Sequence, residues 1–187
     1  MQLRRFLRIS VFMVAVIAPS RAACPVTNPL GLPFVPPAPY PPNAAYGAFW
    51  YGSKTLWTQL SNDGVWRGLP RRKNGGYFNK LFLWQEGFDW RKEQQPDVIL
   101  VLRRLDAEMP LVSQRGGTNA IMGNSPAMLV GVVFPDRGCW EVTSVHDGHT
   151  LTFVLSIQPR AQTRCQFPQG HGGLAAEPGS PTALALC

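Results

Sequence analysis

The sequence of 187 residues lacks an apolar run long enough to cross a bilayer as a helix. Its N-terminal apolar run, Ile9–Ala18, is far shorter than the ~20 residues that a spanning helix needs. Basic residues precede this run, and the small residues Ser20 and Ala22 follow it, which is the pattern of a secretory signal peptide. We therefore expect cleavage of residues 1–22, and a protein that is secreted or resides in the periplasm or cell envelope. A retained membrane anchor is the alternative.

The sequence also has few acidic residues, with 11 Asp and Glu against 18 Lys and Arg, hence a formal net charge of +7. Four of the cations (Arg4, Arg5, Arg8 and Arg21) lie in the predicted signal peptide, which has no acid, so the remaining chain carries 7 − 4 = +3. Nucleic-acid binding needs a concentrated basic face, and this modest charge argues against it.

Motifs for catalysis and metal binding are missing. Ser125 lies in Gly-Asn-Ser-Pro and not in the Gly-x-Ser-x-Gly motif of a nucleophile elbow. His146 and His149 flank Asp-Gly, but no cysteine pair or second carboxylate is near in sequence to complete a zinc site. We interpret this pair as a solvated hairpin tip, and we expect no metal, no cofactor and no enzymatic activity. A hydrolase that uses carboxylates of one polar connection is an alternative, with the candidates Glu86, Asp89, Glu93 and Asp97.

Cysteine is scarce as well. After export, Cys24, Cys139, Cys165 and Cys187 would lie in a compartment where disulfides persist, which removes the thiolate that cysteine catalysis requires. Four cysteines permit three pairings, and their spacing does not choose among them. Lipidation of Cys24 is a further alternative, disfavoured because Arg21 stands where bacterial lipoproteins carry a leucine-like residue.

Glycine and proline, at 18 each, and aromatic residues, at 11%, are abundant, and this composition suits an all-β domain with loops at both ends. Proline concentrates in residues 23–45, which predicts an extended, semi-rigid lead-in. This lead-in is either a spacer or proline-motif ligand, or an ordered arm that lies along the domain.

The most clearly patterned element is a hairpin around Asp147-Gly148, a dipeptide that supplies the positive φ angles of a tight turn. The alternating apolar residues that we predict to face inward are Trp140, Val142, Leu151, Phe153, Leu155 and Ile157. Other predicted strand regions are Ala48–Leu60, Val65–Trp66, Tyr77–Trp84, Asp97–Asp106, Glu108–Val112 and Ala127–Phe134, with a loop over Ser113–Pro126.

About seven short strands separated by turns predict an immunoglobulin-like, two-sheet antiparallel β-sandwich over residues 46–158, followed by a flexible tail over 159–187. A small closed barrel is the alternative architecture. Trp140 is expected in the core. The other five tryptophan side chains cannot all fit in one small core, so we expect some of them to form an exposed aromatic patch. These five are Trp50, Trp57, Trp66, Trp84 and Trp90.

Three segments resemble a group of uncharacterised exported bacterial proteins with an immunoglobulin-like domain. Two segments together resemble their terminal hairpin. One is Phe134–Thr143, in which a Phe-Pro turn leads to Gly-Cys-Trp-Glu-Val-Thr, and the other is Leu151–Val154. Cys24–Thr27 is similar to the segment after their signal peptide, and Arg103–Asp106 resembles their Arg-Arg-Leu-Asp strand end. The resemblance implies fold and export but no activity.

The same resemblance implies a disulfide, because Cys24 and Cys139 both fall in matching motifs, and this leaves Cys165 to pair with Cys187. The chain departs from the group in its longer Trp84–Pro96 connection and in its C-terminal tail.

The candidate binding site is a basic segment without acids that is flanked by aromatic side chains; its residues are Trp66, Arg67, Arg71, Arg72, Lys73, Tyr77, Phe78 and Lys80. Cations beside aromatic rings suit an anionic surface, such as phospholipid, teichoic acid or lipopolysaccharide, or a sugar stacked on a ring. A loop whose charge only maintains solubility is the alternative. We hypothesise a non-catalytic secreted or envelope binding module; a structural envelope protein anchored by lipid on Cys24 is a competing hypothesis.

Overall fold

A computed structural model describes residues 23–29, 34–122 and 125–160. These residues form ten strands and no helix: β1 (Ala48–Ser53), β2 (Leu56–Ser61), β3 (Val65–Arg67), β4 (Tyr77–Trp84), β5 (Ile99–Arg104), β6 (Val112–Arg115), β7 (Thr118–Met122), β8 (Ser125–Phe134), β9 (Gly138–His146) and β10 (His149–Gln158). Two five-stranded sheets result, the β4 sheet in the order β1-β2-β4-β8-β7 and the β9 sheet in the order β3-β10-β9-β5-β6. The all-β prediction is confirmed, and the strands form two sheets instead of the closed barrel. Within the described ranges, no helix has the length and apolarity that crossing a membrane requires.

The predicted hairpin is present as β9 and β10. Asp147 and Gly148 form its turn with φ angles of 47° and 73°, the positive values that a two-residue turn needs. The six residues predicted to face inward are all buried in one layer between the two sheets, here called the between-sheet layer. Alternation was therefore a sufficient guide where one face of each strand is buried.

Three strand predictions need correction. The first strand region is a hairpin of β1 and β2, and the loop predicted over Ser113–Pro126 contains most of β6 and all of β7. β6 pairs with β5, and β7 pairs with β8, so these short segments, one mostly polar and one with Ile121 and Met122 exposed, become strands through pairing with neighbouring strands and not through a pattern of their own. The sandwich is also not wholly antiparallel, because β3 pairs with β10 in parallel.

The tryptophans occupy two layers, and the predicted exposed aromatic patch is wrong. Trp140 lies in the between-sheet layer, and Trp66 and Trp90 are half-buried against it. A second group, here called the tryptophan cluster, is buried on the outer face of the β4 sheet and consists of Trp50, Trp57, Trp84 and Ala127. The prediction failed because it assumed that a sandwich buries only its inner faces.

The N-terminal arm, residues 23–29 and 34–45, contacts both sheets: residues 34–45 cover the tryptophan cluster, and residues 23–29 lie against β9 and β10. A disulfide joins Cys24 to Cys139, as the resemblance implied, and Thr27 exchanges hydrogen bonds of 2.8 and 2.9 Å with the backbone of Val154. Closing so long a loop stabilises the fold by about 3–5 kcal/mol. The described residues of the proline-rich lead-in thus form an ordered arm. Cys165 and Cys187, like the predicted signal peptide and nearly all of the predicted tail, lie outside the described residues.

Candidate functional site

The basic segment between β3 and β4 folds as a tight turn built on glycine. The amide of Gly75 donates to the carbonyl of Arg72, and the amide of Arg72 donates to the carbonyl of Gly76, at 3.1 and 3.0 Å. Gly76 has φ of 77°, and a Cβ there would lie 2.9 Å from the carbonyl oxygen of Phe134, so no other residue fits. The turn therefore holds one short run of cations at the end of the sandwich, here called the basic tip: Arg71, Arg72 and Lys73.

The basic tip is exposed, and its three cations make no ion pair with any carboxylate of the described chain. The guanidinium of Arg72 lies 5.5 Å from the centre of the Phe78 ring. Arg137 lies 5.1 Å from the centre of the Tyr77 ring and also has no ion pair among the described residues. Sequence reasoning missed Arg137, because only the pairing of Tyr77 with Phe134 brings the turn after β8 beside this tip.

Three of the predicted site residues do not belong to this surface. Trp66 packs edge-on against Phe134 in the between-sheet layer, with ring centres 5.8 Å apart. Arg67 forms an ion pair with Asp63, and the hydrogen bond from Arg67 lowers the pKa of that carboxyl. The tip is thus confined to residues beyond Gly68. Lys80 is also separate from it, on the exposed outer face of the β4 sheet.

Two of the segments that resemble the exported bacterial proteins, Arg103–Asp106 and Phe134–Thr143, contact each other. Arg104 hydrogen-bonds Asp106 at 2.5 Å and covers the Trp140 ring at 5.4 Å. Gly138 lies so close to the Arg104 guanidinium that a Cβ would clash with it. Burial raises the pKa of Asp106, but hydrogen bonds from Arg104 and from the amide of Cys139 outweigh it, so the net shift is downward. These motifs hold the ends of β5 and β9 together, which explains their residue types without catalysis.

The interpretation of His146 as part of a solvated tip is wrong. Its side chain is only 4% exposed, and its two ring nitrogens contact Gln85 Oε1 at 2.7 Å and Glu93 Oε1 at 3.0 Å. The ring of Phe88 stands edge-on to it. His146 therefore anchors the long connection between β4 and β5 onto the end of β9. Sequence spacing could not reveal this contact, since the three partners lie 53 to 61 residues away.

The candidate carboxylates of that connection have no shared partner: Asp89 and Asp97 contact cations, Glu93 contacts His146, and Glu86 makes no ion pair with any described residue. Asp97 pairs with Arg115, which lowers the pKa of Asp97, and Asp89 pairs with Lys92. The pKa of Asp89 is lowered first by the amide of Arg91 and then by Lys92. In the part of the chain that the structure describes, no three metal-capable side chains form a group.

Comparisons with protein-family models, with curated proteins and with solved structures found no match to this chain.

Proposed function

We propose that the protein is an exported, non-catalytic binding module that attaches to an anionic component of the cell envelope through its basic tip. The observation that carries this proposal is the contrast among its cations. Arg67, Arg103, Arg104 and Arg115 are paired with carboxylates, whereas the tip concentrates three cations that are unpaired within the described chain, with Arg72 and the neighbouring Arg137 each beside an aromatic ring. Arg91 is also unpaired among the described residues and lies beside Trp90, but its neighbour Lys92 is paired with Asp89. Unpaired, solvated cations attract anions without first breaking an internal ion pair.

An immunoglobulin-like topology is part of the proposal, and the strand orders support it. The run β10-β9-β5 has the succession of strands G, F and C, and the run β2-β4-β8-β7 has that of A, B, E and D. The disulfide differs from that of antibody domains, because it ties the N-terminal arm to β9 instead of joining the two sheets.

The competing hypothesis of a lipid anchor on Cys24 loses support, because the sulfur that lipidation would use is bonded to Cys139. The carboxylate hydrolase has no geometric support either, since Asp89, Glu93 and Asp97 each contact a different cationic or imidazole group.

The test of the basic tip is binding to vesicles of phosphatidylglycerol and phosphatidylcholine and to teichoic acid. A triple variant with Arg71→Ala, Arg72→Ala and Lys73→Ala should bind roughly a hundredfold more weakly, since each cation near an anionic surface contributes about 1 kcal/mol. The attraction should also weaken as salt is added.

A matched control removes the same charge elsewhere, with Lys54→Ala, Arg91→Ala and Lys92→Ala at the opposite end of the sandwich. This control should retain most of the binding. Equal affinities of the two triple variants would show that net charge, and not the tip, attracts the ligand, and the proposal would then be abandoned.

A further inference from the structure

A groove crosses the outer face of the β4 sheet at the level of Lys80, which the basic tip does not include. Small residues flank it across the strands, because Ala48 pairs with Ser61 on one side and Lys80 pairs with Gly131 on the other. Apart from Lys80, the side chains of this row are small, so the sheet surface is depressed on both sides of that lysine. With strands ~4.8 Å apart, the row from β1 to β8 spans roughly 15 Å.

Two breaks in strand pairing deepen the groove on both sides of Lys80. β2 and β4 pair only at Trp57–Trp84 and Thr58–Leu83, and beyond these pairs they separate around an opening of about 200 Å³. On the other side, the pairing of β7 with β8 starts at Thr118–Leu129, which leaves a second opening of about 350 Å³ beside Gly131. Lys80 lines both openings, so it lies at the middle of one groove.

The strand edge at Gly131 adds backbone hydrogen-bonding groups. The side-chain amide of Gln114 bonds both the N–H and the C=O of Val133, at 2.9 and 2.8 Å, and β7 pairs with Leu129. Because the polar groups on one edge of a strand belong to alternate residues, Gly131 directs its N–H and C=O into the opening between them. A single residue is free there, which is too short an edge for a peptide strand to pair with.

The groove offers aromatic rings for the apolar C–H face of a sugar and polar side chains for its hydroxyl groups. Phe78 and Phe82 lie on either side of Lys80 along β4, each ~7 Å away by strand geometry, and both line the groove. Arg72 lies over one face of the Phe78 ring, and Trp84 stacks against one face of the Phe82 ring, so the other face of each ring is left to stack against the C–H face of a sugar. Its hydroxyl groups need amide and hydroxyl partners, and those of the groove are Gln59, Ser61 and Thr118.

The charge of the groove specifies an acidic ligand. Lys80 makes no ion pair among residues 23–29, 34–122 and 125–160, and Arg72 adds a second cation behind Phe78. Arg115, at the far end, is already paired with Asp97. A flat bilayer would cover the tip but could not lie between the two rings, whereas an extended chain could.

We propose that this groove binds an acidic oligosaccharide, with a sugar carboxylate on Lys80 and sugar rings against Phe78 and Phe82. The inference rests on the proposed binding function and extends it, because it assigns the ligand class and places it across the β4 sheet. Charge-assisted hydrogen bonds between the ammonium group and the carboxylate supply the selectivity for acidic over neutral sugars.

The test uses a short oligogalacturonate as the probe and calorimetry as the measurement, with two groove variants. Lys80→Ala removes the charge, and Gly131→Val fills the groove without changing charge. Gly131 has an ordinary strand φ and is exposed, and a Cβ there contacts only the movable Phe78 ring at 3.1 Å, so this variant should fold. Each variant should bind at least about tenfold more weakly than the unmodified protein. The same oligosaccharide with its carboxylates reduced to alcohols should bind weakly to all forms.

Three outcomes would overturn the inference: full binding by both groove variants, equal binding of the reduced oligosaccharide, or equal binding of polyglutamate, which would indicate a general polyanion site. The basic-tip triple variant separates the two proposals. If its vesicle binding falls while the groove variants bind the oligosaccharide normally, the groove proposal fails and the tip proposal stands. If only the groove variants lose oligosaccharide binding and the tip variant loses nothing, the tip proposal fails alone.

Discussion

The outer face of the β4 sheet has two halves that meet their surroundings differently. One half carries the tryptophan cluster, which Phe34 and Tyr40 of the N-terminal arm cover. The other half carries Lys80 among small residues and stays open as the groove. Both halves belong to the same strands, β2, β4 and β8, but β2 pairs with β4 only in the covered half, at Trp57–Trp84 and Thr58–Leu83. Side-chain size and charge, together with this break in pairing, decide which half requires a cover and which is left for a ligand.

Covering the tryptophan cluster has both a favourable and an unfavourable effect on the free energy of folding. Trp57 packs against Tyr40 and Phe34, with ring centres 5.0 and 5.8 Å apart. The indole N–H groups of Trp57 and Trp84 are buried and have no acceptor within the described part of the chain, which costs about 1–3 kcal/mol each. Burial of the large rings must exceed that cost, and residues 34–45 of the arm make the burial possible.

The largest expected effect comes from opening the covered half. Trp57→Ala removes a fully buried ring that contacts the arm, so the free energy of unfolding should fall by about 3–5 kcal/mol in a denaturant titration. Trp57→Phe is the matched control, since it retains a ring and removes the unpaired N–H, and it should lose much less. If both variants lost the same stability, the contact of the ring with the arm would not be what stabilises this half.

An alkaline pH should loosen the covered half by a smaller amount. Burial raises the pKa of Tyr40, because the phenolate would be poorly solvated under the arm. The unfolded chain therefore releases this proton first, so the Tyr40 contribution is intact below the ordinary tyrosine pKa of about 10 and is lost as the pH rises through the higher folded pKa.

The measurement for Tyr40 is tryptophan fluorescence and unfolding free energy as the pH is raised. Tyr40→Phe should flatten this dependence, whereas Tyr46→Phe, which alters a tyrosine that is fully exposed, should leave it unchanged. An identical alkaline response in the Tyr40→Phe variant would locate the titrating group elsewhere.

The smallest effect on stability is expected in the open half. Lys80→Ala and Gly131→Val should change the free energy of unfolding by no more than about 0.5 kcal/mol, because both positions are exposed and Lys80 has no charged partner within the described ranges. Loss of stability comparable to that of Trp57→Ala would mean that this half is also structural, and the comparison between the halves would collapse.

The candidate binding site was only partly predictable, because some of its features are local in the sequence and others depend on contacts between distant residues. Arg71, Arg72 and Lys73 could be found because an acid-free basic run with glycines next to it is visible locally. The elimination of Trp66 and the addition of Arg137 required the pairing of β4 with β8 and the packing against Phe134, which join residues far apart in the chain. Lys80 was predicted as a site residue because of its charge. Its groove depends on the small residues Ala48, Ser61 and Gly131, which form a depression only because the strand register aligns them in one row.

By itself, the sequence determined the elements whose cause is local: the β9–β10 hairpin, from alternating apolar residues around Asp147-Gly148, and the all-β class, from short apolar runs between turns. The tertiary structure alone decided the strands β6 and β7, the burial of His146, and the division of the β4 sheet into covered and open halves. The reason is that a polar strand, a buried imidazole or an exposed groove takes its state from partners across the sheets, and such contacts leave no periodic trace along the chain.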